Sequence, residues 1–211
     1  MKSICTGRIN LAGCCSGAQD WQHCGGARVP SHVALLVMIL LAAASARAQE
    51  SAPTEYQLKA AFLYNFAKFI DWPRSSFVSD QSPFAICILG VDPFGAAIDD
   101  TLRGKAIRER PVVVQRAKDA ADVRHCQIVF ISASEKTRLS EILAALQGAN
   151  TLIVGDTDRF ADSGGTIQFM LEQNHVRFAI NTDAAESAGL RISSRLLALS
   201  KIVHSSESGR N

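Results

Sequence analysis

Between Thr54 and Trp72 the apolar residues recur at three- and four-residue steps. Leu58, Phe62, Phe66, Phe69 and Ile70 share a face, and Leu63 and Ala67 widen it. The pattern predicts one long helix, covered on more than one side. Thr54 suits its N-cap, and Gln57, three residues on, completes a capping-box spacing. Pro73 disfavours helical backbone at Trp72 and ends the run.

Further along, helical periodicity gives way to short unbroken apolar runs. Residues 84–90, 127–132 and 151–154 have strand length and are apolar almost throughout, which suits strands buried on both faces. Residues 110–115 form another strand, and Pro111 places it at an edge or a strand start. Asp92-Pro-Phe-Gly95 is a turn, with a short helix at 96–102. A helix over 135–147 follows, capped by Ser134, with Leu139, Ile142, Leu143 and Leu146 as its apolar face. Gly148 supplies its left-handed stop. Residues 155–158 start a further helical turn. Residues 166–171 and 175–180 form a hairpin around Glu172-Gln-Asn174, with Val176, Phe178 and Ile180 alternating with Arg177 and Ala179. A short helix at 183–188, ended by Gly189, and a last helix at 193–203 close the series. In that last helix Leu196, Leu197, Leu199 and Ile202 are apolar.

Strand–helix alternation predicts the α/β class. We expect a three-layer sandwich with a mainly parallel five- or six-stranded sheet, helices on both faces and the hairpin as an antiparallel edge.

The amino end is organised differently. Residues 33–44 form an apolar run of signal-peptide length, preceded by Arg28 and His32. Ala46-Arg47-Ala48 offers small residues for cleavage before Gln49. An uncleaved membrane anchor is the alternative reading, but the run is shorter than the roughly 20 residues a bilayer span needs. Residues 1–27, with Cys5, Cys14, Cys15 and Cys24, do not resemble a signal n-region and suggest an overextended start. A four-cysteine metal site there lacks paired C-x-x-C knuckles. The expected organisation is therefore an extension plus signal peptide at 1–48, one domain at 49–204 and a disordered tail at 205–211. Cleavage removes Lys2, Arg8, Arg28, Arg47 and Asp20, so the formal charge passes from +2 to −1. That balance and the lack of a basic cluster argue against nucleic acid as partner.

Little in the mature part reads as catalytic. G-x-S-x-G is missing. Gly90-Val-Asp-Pro-Phe-Gly95 sits where a phosphate loop would, but it lacks the dinucleotide and P-loop patterns, and a tight strand-to-helix turn explains it. Gly155-Asp-Thr-Asp158 could hold a cation at a sheet end, though capping accounts for the same residues. His125 and His175 lack ligand spacing. No cofactor is expected. Cys87 and Cys126 lie in or beside two predicted strands that are neighbours in a flavodoxin-like order, so either a bridge or two buried thiols fits the residues. A thiol oxidoreductase would need C-x-x-C at a helix start, which neither supplies. Phe169, Glu172, Asn174, Arg177, Phe178 and Asn181 form a mixed apolar and polar patch on the hairpin, suited to a partner surface or, more blandly, to a solvated strand.

Four ordered blocks resemble the YfiR family of secreted periplasmic proteins. They are EYQLKAAFLYNFAKFIDWP (55–73), ICILGVDPFG (86–95), HCQIVFISASE (125–135) and HVRFAINTDAAESAGLRISSRLLALSKI (175–202). The resemblance implies a non-enzymatic repressor of an inner-membrane diguanylate cyclase of the YfiN type. It also implies sequestration by an outer-membrane lipoprotein, and a homodimer. It favours a Cys87–Cys126 bridge. The family's better-known members carry a second cysteine pair, and here those positions correspond to Ala161 and Gln168. A periplasmic small-molecule binding module, with its pocket at the carboxyl ends of the strands, is the alternative.

Overall fold

The computed structural model describes residues 54–204. The signal-like run, the four amino-terminal cysteines, the cleavage point before Gln49 and the tail at 205–211 lie outside the described residues.

The first helix, α1 (Glu55–Phe69), opens with the expected capping box. The Gln57 N–H donates to Thr54 Oγ1 at 3.3 Å, and the Thr54 N–H donates to Gln57 Oε1 at 2.7 Å. The helix stops earlier than its periodicity predicts. Ile70–Asp71 forms a short strand, β1, antiparallel to β9 (Arg191–Ile192). The Trp72 indole N–H then donates back to the Ala67 carbonyl. The buried stripe is also rotated from the expected one. Lys59, Ala60, Leu63, Phe66 and Ala67 are buried, while Leu58 and Phe62 flank them and Phe69 is exposed. At 100° per residue Phe69 lies about 200° from Ala67, so both cannot face the sheet.

The main sheet has eight strands: β2 (Phe84–Leu89), β3 (Ala106–Ile107), β4 (Arg110–Ala117), β5 (Ile128–Ile131), β6 (Leu152–Gly155), β7 (Ile167–Glu172), β8 (His175–Asn181) and β10 (Lys201–Val203). Their spatial order is β10-β8-β7-β6-β5-β2-β4-β3. Only the β7–β8 and β3–β4 pairs are antiparallel. This is the predicted α/β arrangement, and β2 and β5 are neighbours as expected. The strands beyond the predicted set are two or three residues long, too short to show a period. Pro111 sits at the start of β4, where its missing N–H is tolerated.

Both faces are covered, which is why the central strands are apolar throughout. On one face Phe84, Ile86, Ile88, Phe130, Val154 and Ile167 pack with α1 and α2 (Ala96–Leu102). On the other, Ala85, Cys87, Leu89, Val129 and Ile131 pack with α3 (Leu139–Ala145) and Phe160.

Three predicted helical segments are built differently. The run 135–147 begins as a 3-10 segment, Ala133–Arg138, before α3, and Ser132 caps it in place of Ser134. The Ser134 hydroxyl instead accepts from the Val91 N–H at 3.0 Å, tying two strand ends together. In place of the expected helical turn at 155–158, Gly155 ends β6 and residues 156–158 leave the strand as irregular chain that bends into a turn. The Phe160 ring occupies the space beside Gly155 and Gly165, where an added Cβ would lie 2.4 and 2.1 Å from it. The last run splits into α5 (Ser194–Leu197), capped by Ser193, and β10, parallel to β8. Pairing β10 satisfies backbone groups on the outer side of β8, a stronger demand than continuing a helix whose Leu199 and Ile202 are exposed. The hairpin is therefore antiparallel as predicted, with β10 outside it. The remaining helix, α4 (Thr182–Ser187), matches expectation.

Candidate functional site

β7 and β8 are joined by the two-residue turn Gln173–Asn174, both in the left-handed region (φ 48° and 65°). That is the geometry of a tight hairpin turn. Glu172 therefore belongs to the strand, opposite His175. The register also decides which candidates face together. Phe169 pairs with Phe178 and Leu171 with Val176 on one face, while Met170 pairs with Arg177 and Glu172 with His175 on the other.

The six predicted site residues are thus divided. Phe169 and Phe178 lie under α1, in ring contact with Phe62 and Phe66 at centroid distances of 5.1–6.1 Å; Phe66 stacks on Phe169 and meets Phe178 edge-on. They are core residues rather than part of an exposed patch. Asn181 is fully buried as well. Its Nδ2 donates to the Ala161 carbonyl at 2.8 Å and its Oδ1 accepts from the Ala184 N–H at 3.0 Å, capping α4. Arg177 shares its face, but the 156–165 connection covers the Asn181 end. Glu172, Asn174 and Arg177 remain exposed, joined by Leu171, which is 54% exposed at the hairpin tip. The accessible surface is a small tip that also includes Gln173 and His175: one carboxylate, one guanidinium, two amides, one imidazole and one leucine.

A second cluster was not predicted. Lys59 is only 3% exposed, on the buried stripe of α1. Its ammonium donates to Asp156 Oδ2 at 2.7 Å and pairs with Glu55 at 2.6 Å. The Tyr56 hydroxyl donates to the same Asp156 oxygen at 3.1 Å, and Lys59 lies 4.4 Å from the Tyr56 ring centroid. Burial alone would lower the Lys59 pKa, but the bonds to Asp156 and Glu55 outweigh it and the value is raised. Burial, and then the Asp156 charge, raise that of Tyr56. The sequence signal was a lysine four residues before Leu63 and four after Glu55, on an otherwise apolar stripe. Asp156 follows β6 directly, at the carboxyl ends of the strands, and is occupied by this pair rather than free for a cation.

The clefts open at the other end. One of about 310 Å³, lined by Leu146, Gln147, Thr151, Thr166 and Ser187, has no charged side chain on its wall. Another of about 450 Å³ is lined by Trp72, Phe77, Arg74, Arg108 and Arg110. Thr151, Thr166 and Arg110 all stand at or just before strand starts, so neither cleft lies at the carboxyl ends.

Cys87, in β2, is bridged to Cys126, just before β5. Their Cα atoms are 6.0 Å apart and both residues are buried. The bridge joins adjacent parallel strands across a 39-residue separation. Where the resemblance implied the positions of a second pair, the Ala161 N–H donates to Gln168 Oε1 at 3.2 Å. A hydrogen bond thus links them. Among the described residues no group of His, Cys, Asp and Glu is arranged to hold a metal, and no helix is long and apolar enough to cross a membrane.

A family model described as YfiR/HmsC-like matches residues 56–201. A crystal structure of a conserved domain protein from Vibrio cholerae O1 biovar El Tor is 12% identical, with a TM-score of 0.47 over 71% of this chain and 60% of that one. The ABC domain from Streptococcus pneumoniae, in complex with L-Trp, is 9% identical, with a TM-score of 0.45 over 70% of this chain and 60% of that one. The chain spans about three fifths of the length of each, and neither bears on its function.

Proposed function

The chain belongs to the YfiR/HmsC-like family of periplasmic regulators, and from that premise we propose that it is a non-enzymatic repressor of an inner-membrane diguanylate cyclase. The family match over residues 56–201 carries this reading. Two features are in keeping with it. A buried disulfide suits an oxidising compartment. The exposed hairpin tip offers a charged and an apolar group on a rigid two-stranded support.

The mechanism is mass action on a two-state receptor. The repressor binds the inactive form of the cyclase's periplasmic part better than the active form, and each 1.4 kcal/mol or so of difference shifts the balance about tenfold. An outer-membrane lipoprotein that sequesters the repressor would release the cyclase. We place the contact at Leu171, Glu172, Asn174 and Arg177, and expect the repressor to act as a homodimer.

The test is cellular cyclic di-GMP in a deletion strain, complemented with the native chain or with Arg177→Glu. Deletion should raise the level, the native chain should restore it, and Arg177→Glu should not. An unchanged level on deletion sinks the repressor reading. Full complementation by Arg177→Glu sinks only the assignment of the contact.

A further inference from the structure

The larger cleft, at the amino ends of β2 and β4, gathers three arginines. Each guanidinium is in a different state. Arg110 is engaged: it donates to the Ser79 and Ser82 carbonyls at 3.0 and 2.6 Å, and it lies 4.1 Å from the Phe77 ring centroid. It fixes the 79–82 loop and leaves a flat cation–aromatic wall. Arg108 is half-engaged, paired at the surface with Asp71. Arg74 is exposed, and its guanidinium has no hydrogen-bond or ion-pair partner among the described residues.

Arg108 and Glu109 form the two-residue turn between the antiparallel strands β3 and β4, with φ of 47° and 69°, the geometry of a tight hairpin turn, and this turn sets Arg108 at the rim of the cleft. The lining is also partly apolar: Trp72, Phe77 and Val78, the last 91% exposed, stand beside the arginines. A volume of about 450 Å³ is that of a small-molecule site. One acidic residue, Asp80, lines the cleft and opposes a dianion more than a monoanion.

We propose that this cleft binds a small organic carboxylate. Its anionic end pairs with the planar forks of Arg74 and Arg108, and its apolar body lies against Phe77, Val78 and the edge of Trp72. Paired guanidinium donors match carboxylate geometry, and a neutral molecule of the same shape gains nothing from them. The site is separate from the hairpin tip and does not depend on the repressor reading.

The test is a titration of the full-length protein with benzoate, followed by the NMR signals of residues 72–80 and 108–110. Benzoate should give saturable shifts there, weaker at high salt. Arg74→Gln and Arg108→Gln should each weaken binding about tenfold, with thermal unfolding unchanged because both side chains are exposed. Benzamide should not saturate the site, and inorganic phosphate should bind more weakly than benzoate. The proposal is overturned by an absence of saturation with benzoate, by equal binding of benzamide or phosphate, or by native affinity in the double glutamine variant. Preferential binding of a glutamate-rich peptide would overturn it in favour of a protein-docking surface.

Discussion

The β2–β5 pair and the β7–β8 hairpin belong to one sheet but are held in different ways. β2 and β5 are parallel, buried on both faces and cross-linked by Cys87–Cys126. The hairpin is antiparallel. One of its faces is locked under α1 by four aromatic rings, and its tip is bare. The difference shows how a small domain divides its labour. The centre is over-determined by burial and covalent closure. The hairpin draws rigidity from one face and is free to present the other end to a partner.

Truncating the aromatic anchor should have the largest effect. Phe66→Ala removes a fully buried ring that touches Phe62, Phe169 and Phe178, and should cost about 3–5 kcal/mol in chemical denaturation. A loss under about 1 kcal/mol would mean the hairpin does not depend on α1. Replacing both Cys87 and Cys126 by alanine should come next, at about 4 kcal/mol or less for a loop of 39 residues. If that variant also loosened hydrogen exchange in β7 and β8, the two regions would not be independent.

Asp156→Ala strands the buried Lys59 with only Glu55 beside it. It should cost about 3 kcal/mol, whereas replacing Lys59 and Asp156 together by methionine and leucine should cost much less. High pH acts on the same cluster. Lys59 and Tyr56 both have folded-state pKa values above their ordinary 10.5 and 10.0. Their contribution is complete below about pH 10 and is lost as pH rises through the folded-state values. Urea midpoints measured above pH 10 should fall in the native chain and fall less in the Lys59/Asp156 double replacement. At the tip, Glu172→Ala or Asn174→Gly should change stability by no more than about 0.5 kcal/mol. A larger change would assign the tip to the scaffold and remove it as a free contact surface.

Much of this was legible beforehand, and the misses have physical causes. The capping box, the apolar central strands and the hairpin are local or periodic features, so they could be read from Thr54, Ile86 or Val176 directly. Phe69 was misplaced because, on a helix that apolar, periodicity alone does not fix which stripe faces the sheet, and Phe69 lies across the helix from Ala67. Lys59 went unnoticed because a charge on a buried stripe becomes tolerable only when Asp156, 97 residues away, arrives beside it. Asn181 read as surface because its alternation matched Arg177, and only the fold covers it with the Ala161 turn.

The order of residues by itself settled the α/β class, the family and the strands that pass through the centre, since burial on both faces forces an unbroken apolar run. Tertiary structure alone decided which of six hairpin residues reach the surface and that 201–203 pairs as a strand. It also decided that three arginines from two separate segments share one cleft. Those outcomes depend on contacts between residues far apart in the chain, and hydrophobic periodicity carries no information about them.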